Sequence, residues 1–72
     1  MVDVTAYPIL IRPLSADEGD GYLASIPALP GCHGDGATEL EAIQDVREAA
    51  KGFIAMLIEQ GDPVPLPEKR SA

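Results

Sequence analysis

Cys32-His33 is the one place in this chain where a nucleophile and a base stand side by side, and there is no second cysteine or histidine to extend the pair. A zinc site takes about four ligands with usable spacing, and these residues supply two. Neighbours on an extended segment point to opposite faces, so the pair does not form a nucleophile–base dyad either. The sequence therefore predicts Cys32 as a small buried hydrophobe and His33 as a surface residue. No catalytic residue, metal ligand or cofactor is expected here.

The carboxylates are the next candidates. Metal-assisted phosphodiester cleavage needs several acids converging on ions about 4 Å apart. The natural platform is the first strand, yet Val4 to Arg12 contains no Asp or Glu. Asp17, Glu18 and Asp20 crowd one turn, which makes an exposed cluster and not a convergent site. Glu41, Asp45 and Glu48 fall on one solvated helix face. Gly34-Asp35-Gly36 before a helix has neither the length nor the lysine of a phosphate-binding loop, and is read as a tight entry into that helix. The acids are thus better suited to recognition. The turn carrying Asp17, Glu18 and Asp20 concentrates charge without balancing bases, and Tyr22 beside it offers a packing anchor. Those four residues are the candidate partner-binding site. The other reading of the turn is a solubilising hairpin loop that touches nothing.

The elements that must position these groups fit in one domain of 72 residues. A chain this small buries only about 60% of the surface it exposes when unfolded, and one cysteine makes no internal disulfide. A thin core predicts association, a homodimer being the simplest form. The lone cysteine, the lack of a long apolar run and the acidic N-terminus predict a cytoplasmic protein. Twelve acids against five bases give a net charge of −7, which disfavours direct nucleic-acid binding and favours a basic protein partner.

Residues 4–12 read as a strand, with Tyr7, Ile9 and Ile11 on one face and Ala6, Pro8 and Leu10 on the other. Pro8 makes it an edge strand, or one entered at the proline. After the glycine-rich turn at 15–21, Tyr22 to Ile26 reads as a second strand, pairing antiparallel with the first. Pro27 to Gly31 is a rigid corner, and Cys32 to Gly36 a short third strand. Thr38 with Glu41 forms a capping box. Apolar positions then recur at Ile43, Val46, Ala50, Phe53, Ile54, Leu57 and Ile58, predicting an amphipathic helix over 38–60 that ends at Gly61. Gly52, inside that helix, marks either a close backbone approach or an exposed, tolerated glycine. The segment with Pro63, Pro65 and Pro67 should be extended, with Val64 and Leu66 docking on the sheet, and 69–72 disordered. Leu10 or Ile9, Leu23, Ile26, Leu29, Val46, Phe53 and Leu57 should form the core.

Several of these pieces recur in one order. They are Tyr7-Pro8, Gly21-Tyr22-Leu23-Ala24, Ile26-Pro27-Ala28-Leu29-Pro30-Gly31-Cys32, Gly36-Ala37-Thr38 with Glu41-Ala42, and Gly61 with Pro63-Val64-Pro65 and Pro67. As a set, covering about residues 4–67, they resemble the HicB antitoxin family. The resemblance implies a small α+β, ribonuclease H-like βββαβ domain over 1–68 that lacks catalytic acids and is not an enzyme. It implies a type II toxin–antitoxin partner, HicA, a small basic messenger-RNA interferase whose catalytic histidine the antitoxin covers. Full-length members usually continue into a DNA-binding domain, and none is expected in this chain. An orphan HicB-like interaction domain and a remnant ribonuclease H-fold nuclease are the alternative readings.

Overall fold

The computed structural model describes residues 3–67. The first half of the chain supplies three short strands: β1 (Leu10–Pro13), β2 (Tyr22–Ser25) and β3 (His33–Gly36). They form one antiparallel sheet in the order β1-β2-β3. The second half supplies helix α1 (Glu39–Gln60), which lies across one face and packs mainly on β3 and β2. The domain is therefore a small α+β unit of two layers.

The first strand starts later than its composition predicts. Asp3 accepts hydrogen bonds from Thr5 N at 2.9 Å and Thr5 Oγ1 at 2.7 Å, and this local bonding competes with strand pairing. Val4–Ala6 becomes a turn of 3-10 helix instead. Pro8 then precedes the strand, while Pro13 is its last residue, tolerated because β1 lies at the sheet edge. The face assignment holds: Tyr7 is buried, Ile9 and Ile11 are half-buried, and Leu10 is 63% exposed. Of the two candidates for the core, Ile9 packs inward.

The period of two along β2 sends Tyr22 and Ala24 toward α1 and Leu23 away from it. Leu23 is therefore only half-buried and does not belong to the core. Ile26 has the same parity as Tyr22 and Ala24, and Ile26 N donates to Cys32 O at 3.4 Å, so the alternation carries it into the core. The corner at 27–31 closes through Leu29 N to Ile26 O (2.9 Å) and Cys32 N to Leu29 O (3.0 Å). Ile26, Leu29 and Val46 are the largest fully buried side chains, joined by Tyr7, Ala24, Cys32, Ala42, Ala50 and Ile54. Phe53 packs on the margin of this cluster, Leu57 is half-buried outside it, and Ile58 is 64% exposed. The helix buries a narrow i, i+4 row, Ala42, Val46, Ala50 and Ile54. A helix of 22 residues is about 33 Å long, whereas a four-residue strand spans about 13 Å. The last turns therefore project past the sheet that would have covered Leu57 and Ile58.

Glycine sets the distance between the layers. A Cβ on Gly34 would lie 2.3 Å from Val46 N, and one on Gly36 would lie 2.7 Å from Ala42 N. No other residue type lets the helix backbone sit so close to β3. Gly52, by contrast, has nothing within 4 Å of a built Cβ and is exposed, so it is the tolerated kind. The helix ends are closed as expected. Thr38 Oγ1 accepts from Glu41 N at 3.1 Å, although the Glu41 carboxylate binds Ala37 N (2.9 Å) and not the cap amide itself. Gly61, at φ 76°, ends the helix with Gly61 N on Ile58 O and Asp62 N on Leu57 O, the paired closure of a Schellman motif.

Residues 62–67 form no strand. Val64 packs against the core, the Tyr7 hydroxyl donates to the Pro65 carbonyl, and Leu66 is 79% exposed. Of the two apolar residues expected to dock there, Val64 does so and Leu66 does not. The disorder expected over 69–72 lies outside the described residues.

Candidate partner-binding surface

The loop between β1 and β2 is pinned at its base by Leu14 N donating to Gly21 O at 2.8 Å. Ala16–Glu18 forms a turn of 3-10 helix, and Gly19, Asp20 and Gly21 follow with φ of 105°, 60° and 87°. Three successive left-handed residues need glycine or a short polar side chain, which this sequence provides. Gly21 is also sterically required, because a Cβ there would lie 2.5 Å from Gly36 O. The outcome is an exposed acidic loop, with Asp17, Glu18 and Asp20 all open to solvent.

Its charge is not wholly uncompensated. Arg12, on the outward face of β1, donates to both Glu18 carboxylate oxygens at 3.2 Å, and Ser15 N donates to Oε1 at 3.0 Å. The Arg12 guanidinium, with help from the Ser15 amide, holds the Glu18 carboxyl down to about 2. The expected absence of a balancing base is thus corrected at Glu18, since Arg12 and Glu18 are brought together by the hairpin, six positions apart in sequence. Asp17 and Asp20 have no such ion pair among the described residues. Tyr22 is half-buried and packs against the core, so only part of its ring is open beside the loop.

A second acidic surface lies where β3 meets α1. Asp35, Gly36, Glu41, Gln44, Asp45 and Glu48 line a shallow cleft of about 370 Å³. Asp45 Oδ2 accepts from Asp35 N at 3.0 Å, and Glu48 pairs with Lys51 at 3.1 Å. The i, i+4 and i, i+7 spacing of Glu41, Asp45 and Glu48 was visible as a helix face. Their union with Asp35 depends on the helix lying on β3, and no local signal announces it.

Cys32 is buried, its Sγ 3.8 Å from Val46 O, and burial pushes its thiol up. His33 is exposed. The two point apart as the strand alternation predicts, and no dyad forms. Among the described residues no group of three or more His, Cys, Asp or Glu side chains is placed to hold a metal ion, and no helix is long and apolar enough to cross a membrane.

Residues 7–71 match the HicB-like antitoxin family of bacterial toxin–antitoxin systems. The chain belongs to this family. Curated relatives agree. A UPF0150 protein of Thermoplasma acidophilum is 35% identical over 52 residues, 72% of this chain and 75% of that protein. A UPF0150 protein of Synechocystis is 49% identical over 45 residues, 62% and 57% of the two chains. An uncharacterized 14.9 kDa protein from the rep-hol intergenic region of Haemophilus phage HP1 is 36% identical over 59 residues. This HicB-like chain spans 41% of that phage protein. No solved structure matches it.

Proposed function

We propose that this HicB-like chain acts in the cytoplasm as the antitoxin of a type II system, binding a basic HicA-like messenger-RNA interferase and blocking it without catalysis of its own. The observation that carries the reading is the exposed loop of Asp17, Glu18 and Asp20, with two of its three carboxylates free of ion pairs among the described residues. Such a surface attracts a cationic protein and speeds encounter. Tyr22 contributes the exposed part of its ring at the loop base. The order of three antiparallel strands and a helix supports a truncated ribonuclease H-like fold, with the 63–67 segment standing in for the strand that follows the helix. Leu10, Leu40, Met56, Ile58 and Leu66, all large and exposed, support self-association as a homodimer.

Rim charges act mainly on the association rate and its salt dependence. The variant Asp17→Asn, Glu18→Gln, Asp20→Asn should therefore associate with a HicA-like toxin at least several-fold more slowly at low salt. Its rate should also depend less on ionic strength, while far-ultraviolet circular dichroism stays unchanged. A folded triple variant that associates as fast as the parent at low salt removes this loop as the docking surface.

A further inference from the structure

β3 is an open edge. β2 occupies one side of it, and among the described residues no strand pairs with the other. In an antiparallel ladder the amide and carbonyl of one residue point the same way, and successive residues alternate. The Cys32 carbonyl accepts from Ile26 N, on the β2 side. Residues 32, 34 and 36 therefore direct their backbone groups inward, and 33 and 35 direct theirs outward. The Asp35 amide obeys this alternation, since it donates to Asp45 Oδ2 and not to β2. The amide of His33 and the carbonyls of His33 and Asp35 point away from the sheet. Gly34 and Gly36 offer no side chain to screen them. The Asp45 carboxylate, reaching over from α1, guards this edge at the Asp35 amide.

We propose that this edge docks an extended, basic segment of a partner protein, which adds to β3 as a new strand while its Lys or Arg side chains lie over Asp35, Glu41, Asp45 and Glu48. Strand addition takes affinity from main-chain bonds and specificity from side-chain positions. Here charge sets the specificity. A cationic side chain draws the Asp45 carboxylate into an ion pair, and the Asp35 amide is released to a carbonyl of the incoming strand. A neutral or acidic strand leaves the carboxylate in place and finds the amide occupied. A second copy of this chain is disfavoured, because pairing β3 with its own equivalent brings the same acids face to face. Asp45 thus acts as a charge-selective guard, of the kind that protects exposed edges from indiscriminate pairing. The inference deepens the toxin-binding reading by adding a second surface to it, and rests on that reading only for the identity of the partner.

The test uses the full chain, labelled with nitrogen-15, and a synthetic heptapeptide alternating Lys with Val or Thr. Saturable binding should perturb the amides of His33 and Asp35 and slow their hydrogen exchange. The same peptide with Glu for Lys should bind at least tenfold more weakly, as should one methylated at alternate backbone nitrogens, which keeps its charge but cannot pair. Asp45→Asn should lower affinity for the basic peptide several-fold while the spectrum of the free domain stays folded. Perturbations confined to the Asp17–Asp20 loop, or equal binding by the methylated peptide, would overturn the proposal. So would an Asp45→Asn variant that binds as tightly as the parent. None of these results depends on a toxin, so failure here is distinct from failure of the antitoxin reading.

Discussion

Adding one methyl group at each of two glycines should move stability in opposite directions. At Gly34 a Cβ would stand 2.3 Å from Val46 N, 2.6 Å from Val46 Cα and 2.8 Å from Asp45 C. All three are helix backbone, which cannot rotate aside. Ordinary contact begins at 3.4 Å, so α1 must retreat by roughly 1 Å (3.4 less 2.3) or β3 must bend. Overpacking of this kind costs about 1–3 kcal/mol, and a clash with helix backbone puts Gly34→Ala at the upper end, about 3 kcal/mol. A domain of this size holds only about 4–11 kcal/mol in total, at ~0.05–0.15 kcal/mol per residue. With a shift of about 4–8 °C per kcal/mol, Gly34→Ala should melt roughly 12–24 °C below the parent. Gly52→Ala fills open space on an exposed helix face and should gain about 0.5–1 kcal/mol, or roughly 2–8 °C. Circular dichroism melts at one fixed protein concentration read both. A Gly34→Ala domain melting within about 2 °C of the parent would refute the close seat of α1 on β3.

Tyr7→Phe removes the hydroxyl that donates to the Pro65 carbonyl and should cost about 0.5–1.5 kcal/mol in urea unfolding. An unchanged midpoint would mean that the segment is not held by this bond. The Glu18 carboxyl, held to about 2 from its ordinary 4.5 by Arg12 and the Ser15 amide, should titrate near 2 by NMR and return toward its ordinary range in Arg12→Gln. A depressed carboxyl stabilises the fold above its unfolded pKa and stops doing so as pH falls through the folded one. The Arg12–Glu18 contribution should therefore be present above about pH 4.5 and vanish toward pH 2. Sedimentation at micromolar concentration should show a homodimer, and a stable folded monomer would count against self-association.

Much of this fold was legible because its signals are local. The Thr38 cap, the Gly61 terminator, the corner at Pro27–Gly31 and the short glycine-rich strand each depend on a few neighbouring residues, and the sheet order follows from short connections. The misplacements have tertiary or competing local causes. Asp3 diverts the N-terminal segment into a 3-10 turn. Leu23 lies outside the core because strand parity, not hydropathy, decides which face it takes. Leu57 and Ile58 belong to a regular apolar stripe, and only the shortness of the strands leaves them without a cover. Glycine was the least readable residue. Gly34 and Gly36 have low strand propensity, yet they are the positions where α1 approaches β3 most closely. Gly52 held out the prospect of a close approach and makes none.

The acidic surfaces follow the same division. Asp17, Glu18 and Asp20 cluster in sequence and remain clustered in space, though the hairpin returns Arg12 to Glu18. Asp35 and Asp45 are ten positions apart on different elements and meet only because two glycines let the layers touch. Packing and recognition are therefore coupled at β3. Any side chain at Gly34 pushes α1 outward, and that movement carries the Asp45 carboxylate away from the Asp35 amide. A change that loosens the core at this point should also unguard the edge. The expected sign is specific: Gly34→Ala, at temperatures where it remains folded, should exchange its Asp35 amide faster than the parent and admit neutral strands along with basic ones. If it keeps the parent's preference for the basic peptide, the guard works independently of the packing beneath it.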